Sequence, residues 1–136
     1  MSKLIPITLN KIMQSTVYTM FILGNEEKQF AIYTEPHVGQ NLQLMLMKQP
    51  KERPNTHALM LSLFEPLNIQ VIQVVINQVE DTIYFARLFL EQNQEGHRKI
   101  LEIDARPSDA LSLALYSNAP MYCTQALFET TLPINI

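Results

Sequence analysis

The segment Ile100 to Cys123, ILEIDARPSDALSLALYSNAPMYC, restricts the fold more than any other part of the chain. Ile100, Leu101, Ile103 and Ala105 interleave with Glu102, Asp104 and Arg106 in an imperfect alternation that leans towards a strand. Pro107 has no N–H to give a sheet, pushes Arg106 into extended backbone and suits a first helical turn. The chain is therefore expected to pass from strand to helix at Arg106-Pro107. Ser108 and Asp109 are residues that cap or open helices, and Leu111, Ala114 and Leu115 recur at helical spacing. Asn118 can end the helix, and Ala119-Pro120 begins a last apolar run, Met121 to Cys123.

A carboxylate in a first helical turn meets unpaired amides and the positive end of the helix dipole, so Asp109 is expected to be ionised and well held. With Arg106 and Ser108 it makes a cluster of one cation, one anion and one hydroxyl where loops converge. The same residues also suit a purely local role, Ser108 and Asp109 capping the helix and Arg106 pairing beside them.

Along the chain, Ile5 to Ile12, Val17 to Leu23 and Gln29 to Thr34 read as strands. Pro36 to Met47 reads as an amphipathic helix on Val38, Leu42, Met45 and Leu46. After a loop rich in proline and charge, Pro50 to Pro54, Asn55 or Thr56 can cap a second helix, about 56–65, with a wide apolar stripe on Leu59, Met60, Leu63, Phe64 and Leu67. His57 lies in its first turn, where the dipole disfavours an imidazolium. A neutral ring there can exchange a proton or bind metal, or can simply be an exposed side chain. Ile69 to Val79, Ile83 to Leu90 and Lys99 to Ala105 give three more strands before the Pro107 helix.

Strand, strand, strand, helix thus occurs twice, over about 5–47 and 69–117. FAIYTEPHVGQNLQLML at 30 to 46 overlies LEIDARPSDALSLALYS at 101 to 117, setting Ile32 on Ile103, Glu35 on Arg106, Pro36 on Pro107 and Val38 on Asp109. We infer an internal duplication. The expected fold class is α+β, with the duplicated units forming a mixed, curved sheet and about three helices packed on it.

The 136 residues suit a single domain, 1–136, able to bury a core without disulfides. No run approaches the length of a membrane span, and the opening MSKLIPITLNKIM lacks the pattern of a secretory leader, so a cytoplasmic location and no membrane partner are expected. Cys123 cannot form an internal disulfide and reads as a small buried hydrophobe. The net charge of −3 argues against a broad basic face. Local basic clusters remain at Lys48, Lys51 and Arg53 and at Arg98 and Lys99 beside His97. They are either solvated loops or, should they meet on one face, a hold on a phosphate backbone. No Gly-rich phosphate loop, Cys/His zinc spacing or nucleophile elbow occurs, which leaves nucleotide hydrolysis, zinc chemistry and acyl transfer poorly supported. The apolar tail, Leu127-Phe128 and Leu132-Pro133-Ile134, suits either a subunit interface or packing on its own core.

ARPSDALSLAL followed by APMYC resembles the signature of the bifunctional nuclease family, domains associated with DNase and RNase activity. The likeness continues through RPNTHALMLSLFEPL at 53 to 67 and AIYTEPHVGQNLQLML at 31 to 46, so it spans roughly Thr16 to Cys123. The resemblance implies phosphodiester hydrolysis of DNA or RNA, with Asp109 as metal ligand or base, His57 as general acid or base and Arg106 stabilising phosphate charge. It also implies a divalent ion, Mg²⁺ or Mn²⁺, and a homo-oligomer. Family members typically carry a glutamate where this chain has Val38 and an aspartate where it has Ala58. Metal-assisted hydrolysis needs several oxygen ligands, and Glu35, three residues before Val38, is the available replacement beside Asp109. The expected site is Glu35, His57, Arg106, Ser108 and Asp109, with nuclease activity reduced or lost. The alternative is a non-catalytic module of the same fold that binds nucleic acid or protein.

Overall fold

The computed structural model describes residues 3–49 and 53–134. The elements run β1 (Leu4–Gln14), β2 (Thr19–Gly24), β3 (Gln29–Thr34), α1 (Pro36–Leu46), α2 (Thr56–Phe64), β4 (Ile69–Glu80), β5 (Ile83–Gln94), β6 (His97–Ala105), α3 (Pro107–Ser117), β7 (Met121–Thr124) and α4 (Gln125–Thr130). The fold class is α+β, as expected, and the strands form one mixed seven-stranded sheet in the order β3-β2-β1-β7-β4-β5-β6. Each half contributes an antiparallel meander, β1-β2-β3 and β4-β5-β6. The short β7 joins them, antiparallel to β1 and parallel to β4.

The core lies between this sheet and the helices. Phe21, Leu23 and Phe30 from the first meander, and Val74, Ile76 and Leu88 from the second, meet Leu42 of α1 and Leu111 and Leu113 of α3. α3 is the most deeply set helix, buried along Pro107, Ser108 and Ala110 to Ala114. The apolar stripe expected on α2 is only partly used. Met60, Leu61 and Phe64 pack against the core, whereas Leu59 and Leu63 are exposed because α2 rests on α3 rather than on the sheet.

Local chemistry accounts for the element ends. Asn118 closes α3 in the left-handed region at φ 54°, which asparagine tolerates. The Asn55 side chain accepts the Ala58 N–H at 2.9 Å and starts α2. Two hairpins are tighter than the residue pattern indicated. Asp81-Thr82 and Glu95-Gly96 each have positive φ at both positions, so Glu80 pairs with Ile83 and Gln94 with His97. β6 therefore begins at His97, two residues earlier than expected.

The first part of the tail packs on its own domain, whereas Leu132 is 84% exposed. Thr124 caps α4 by accepting the Leu127 N–H at 3.2 Å, and Leu127 and Phe128 are buried. The Lys28 ammonium donates to the carbonyls of Phe128 and Thr131 and lies 4.8 Å from the Phe128 ring centre. No helix among the described residues is long and apolar enough to cross a membrane.

Candidate active site

Both strand-to-helix junctions have the same backbone form. Glu35 (φ −64°, ψ 150°) and Arg106 (φ −67°, ψ 144°) are extended N-cap residues, each followed by a proline at the first helical position. Neither caps its helix through its side chain, which leaves a carboxylate and a guanidinium available at the two junctions.

The first junction is set by a buried hydroxyl. Thr19, fully buried on β2, accepts the Gly39 N–H at 3.1 Å, and its Oγ1 lies within 3.1 Å of Gln14 Oε1 and the carbonyls of Glu35 and Pro36. Gly39 allows this approach. A Cβ there would strike the Gln14 side chain and sit 2.5 Å from Thr19. α1 is thereby seated with Glu35 at the edge of the second junction.

The two junctions meet through their side chains. Arg106 Nη1 donates to Glu35 Oε1 at 2.9 Å, and Arg106 Nε donates to Asp109 Oδ2 at 3.0 Å. His57 Nε2 is 2.9 Å from Asp109 Oδ1, with the ring donating, since a carboxylate can only accept. Thr34 Oγ1 donates to Glu35 Oε2 at 2.5 Å. A continuous chain, Thr34–Glu35–Arg106–Asp109–His57, thus links β3, α3 and α2.

These contacts shift the acids. The Thr34 hydroxyl first, then backbone N–H and Arg106, hold the Glu35 carboxyl well below its usual 4.5, at about 2. Partial burial works to raise Asp109, but the hydrogen bonds from Arg106 and His57 outweigh it and hold the carboxyl below its ordinary value. Asp109 first and Glu35 second hold Arg106 firmly charged. His57 is the least exposed member, 12% against 37% for Asp109 and 59% for Arg106. Its surroundings come from α3, where Tyr116 lies 6.4 Å from the imidazole centre and its hydroxyl accepts the Asn55 amide at 2.7 Å.

The structure therefore brings together Glu35, His57, Arg106 and Asp109. Ser108 is only 5% exposed and no hydrogen bond joins its hydroxyl to those four, but it lines an open cleft of about 620 Å³ that Arg106 and Glu35 also border. Val17, Tyr33, Ile83 and Tyr84 give that cleft apolar walls. Thr34 and Tyr116, which with Asn55 position the charged groups, were not singled out from sequence. The Asn55 cap was the one local sign that α2 would start beside the junction.

The donor set does not suit a divalent ion. Each carboxylate oxygen of Glu35 and Asp109 accepts a bond from a protein donor, and the positive charge between the two acids is Arg106 itself. Among the described residues no group of three or more His, Cys, Asp or Glu is arranged to hold a metal. Val38, where the family resemblance implies an acid, is 3% exposed in the core and Ala58 adds no donor.

The expected basic residues are spread over different elements. Lys48 follows α1, and Arg53 borders a small recess with Asn55 and Tyr116. Lys51 is outside the described residues. Arg98 and Lys99 start β6, eight and seven residues before Arg106, so ~25 Å of strand separates them from the junction.

A mixed sheet with helices at two proline-marked junctions and a carboxylate–guanidinium–carboxylate–imidazole chain between them makes an α+β domain with one charged site at its junctions. The family model described as the bifunctional nuclease domain matches residues 21–133, and the chain belongs to that family. Among curated proteins, no sequence matches the chain.

Proposed function

We propose that this is a bifunctional-nuclease-type domain that engages nucleic acid and whose phosphodiester hydrolysis is reduced or lost. The observation that carries this reading is the closed hydrogen-bonding of Glu35 and Asp109, whose oxygens are all occupied by Thr34, Arg106 and His57. A hydrolytic site needs an acceptor for the proton of attacking water and free positive charge for the developing phosphorane. Here His57 donates its Nε2–H to Asp109, which leaves only Nδ1 as an acceptor, and Arg106 is bonded to a carboxylate on two sides. A phosphate reaching Arg106 competes with the two carboxylates for the guanidinium's charge, which weakens both binding and turnover.

The membership of the family supports contact with DNA or RNA, and the exposed guanidinium of Arg106 beside an apolar cleft supports a site for a nucleotide. Cleavage of DNA and RNA by the wild type and Asp109→Ala, with Mg²⁺ or Mn²⁺ and with circular dichroism as a check on folding, tests the proposal. The expected result is cleavage at background for both proteins, with oligonucleotide binding that weakens as salt rises. Metal-dependent cleavage that Asp109→Ala abolishes in a folded protein would overturn it. Absence of both cleavage and binding would favour the alternative, a module for a protein partner.

A further inference from the structure

β6 is an edge strand nine residues long that pairs, among the described residues, only with β5. Its outward backbone is a row of donors and acceptors ready for another strand. Most edges of this kind are blunted by charge, because like charges meet when two copies approach. The charges of β6 are instead sorted along the strand, with His97, Arg98 and Lys99 in its first third and Glu102 and Asp104 near its end. Ile100 and Ile103, between and among them, are 49% and 41% exposed.

We propose that β6 pairs antiparallel with β6 of a second copy of this chain, making one sheet continuous across a twofold axis. A side chain keeps its face of the sheet on pairing, so residues on the outer face, Arg98, Ile100, Glu102 and Asp104, must meet one another. With the axis at Ile100, Ile100 packs on Ile100 and Arg98 faces Glu102, twice. On the other face the Lys99 stem lies along Leu101. Parallel pairing would set Arg98 on Arg98 and Glu102 on Glu102, which repel. The outer face already carries Arg98–Glu91 and Arg87–Glu102 ion pairs, both 2.9 Å, across β5 and β6. The twofold joins them into one row, Glu91–Arg98–Glu102–Arg87, with its members drawn from both copies.

The arrangement also changes which charges surround the candidate active site. Within one chain Arg98 is eight strand positions from Arg106. In the pair, Arg98 of the second copy stands opposite Glu102, four positions or ~13 Å from Arg106. The hairpin turn Glu95-Gly96 of one copy lies beside Ala105 and Asp104 of the other, with Arg98 and Lys99 behind it along the strand.

Light scattering on the full chain and on Arg98→Glu, Glu102→Arg and the double swap tests the pairing, with circular dichroism on each. The expected result is a dimeric wild type, two single variants shifted to monomer, and a dimer regained in the double swap. An Ile100→Cys variant is expected to form a disulfide-linked dimer on mild oxidation, a readout that does not depend on tolerance of the charge changes. A monomeric wild type, a dimer indifferent to both single variants, a folded double swap that stays monomeric, or an Ile100→Cys chain that fails to cross-link would each overturn the proposal.

Discussion

Arg106 Nη1 and Glu35 Oε1, separated by 71 positions in the chain, are 2.9 Å apart, so the end of β3 is tied to the first turn of α3. Glu35 and Arg106 are also the two N-cap residues of α1 and α3, with nearly the same backbone angles. The ion pair thus spans the gap between the two strand-to-helix junctions.

Because Arg106 is half exposed, its removal is expected to cost only ~1 kcal/mol of stability, the upper range for exposed ion pairs, with the added repulsion of Glu35 and Asp109 left facing each other. Thermal unfolding of Arg106→Ala checks this. Arg106→Lys should recover part of the loss, since an ammonium cannot reproduce the forked contacts to two carboxylates.

Acid should dismantle the site in a defined window. The folded Glu35 carboxyl, at about 2, lies below its ordinary 4.5, so its stabilising contribution is complete above 4.5 and is lost as pH falls through about 2. Asp109, also lowered, acts in the same direction. The melting temperature of the wild type is expected to fall across this window more steeply than that of Glu35→Gln, and equal slopes would contradict it.

Gly39→Ala should destabilise the protein by roughly 1–3 kcal/mol, the usual cost of overpacking. The added methyl meets Gln14 and the buried Thr19 rather than open space. Chemical denaturation reads the loss, and Thr19→Val, which removes the hydroxyl that receives the Gly39 N–H, should cost a comparable amount.

Introducing the two acids that the family resemblance implies at Val38 and Ala58 should have opposite effects. Val38→Glu places a carboxylate among core side chains at a 3% exposed position and should destabilise by about 3 kcal/mol or more. Ala58→Asp falls in the first turn of α2 at a partly exposed position, where the dipole favours an anion by roughly 0.3–1 kcal/mol. Of the two, only Ala58→Asp is expected to raise Mn²⁺-dependent cleavage above the wild type, measured alongside unfolding curves.

The junction itself was legible because its determinants are local. Proline fixes the turn, and extended residues precede it. The approach of His57 to Asp109 was not, since it depends on α2 resting on α3 with Asn55 bonded to Tyr116, a contact 61 positions long. Overlaying the two halves set Val38 on Asp109, yet one is core and the other 37% exposed, because aligned letters do not fix how each helix is rolled on the sheet. α4, only six residues long, is too short for helical periodicity to register, and its burial rests on Leu127 and Phe128 reaching back to the core. Thr19, which seats α1, carries no mark in the sequence that separates it from any other strand threonine.

The middle strand of the sheet, β7, is built from residues 121–124, so the piece that joins the two meanders is made after both of them. During synthesis β1 and β4 each present a bare border until residues 121–124 emerge. Completion of the domain is therefore a late, single event, and the interval before it is when a nascent chain is most open to mispairing with its neighbours.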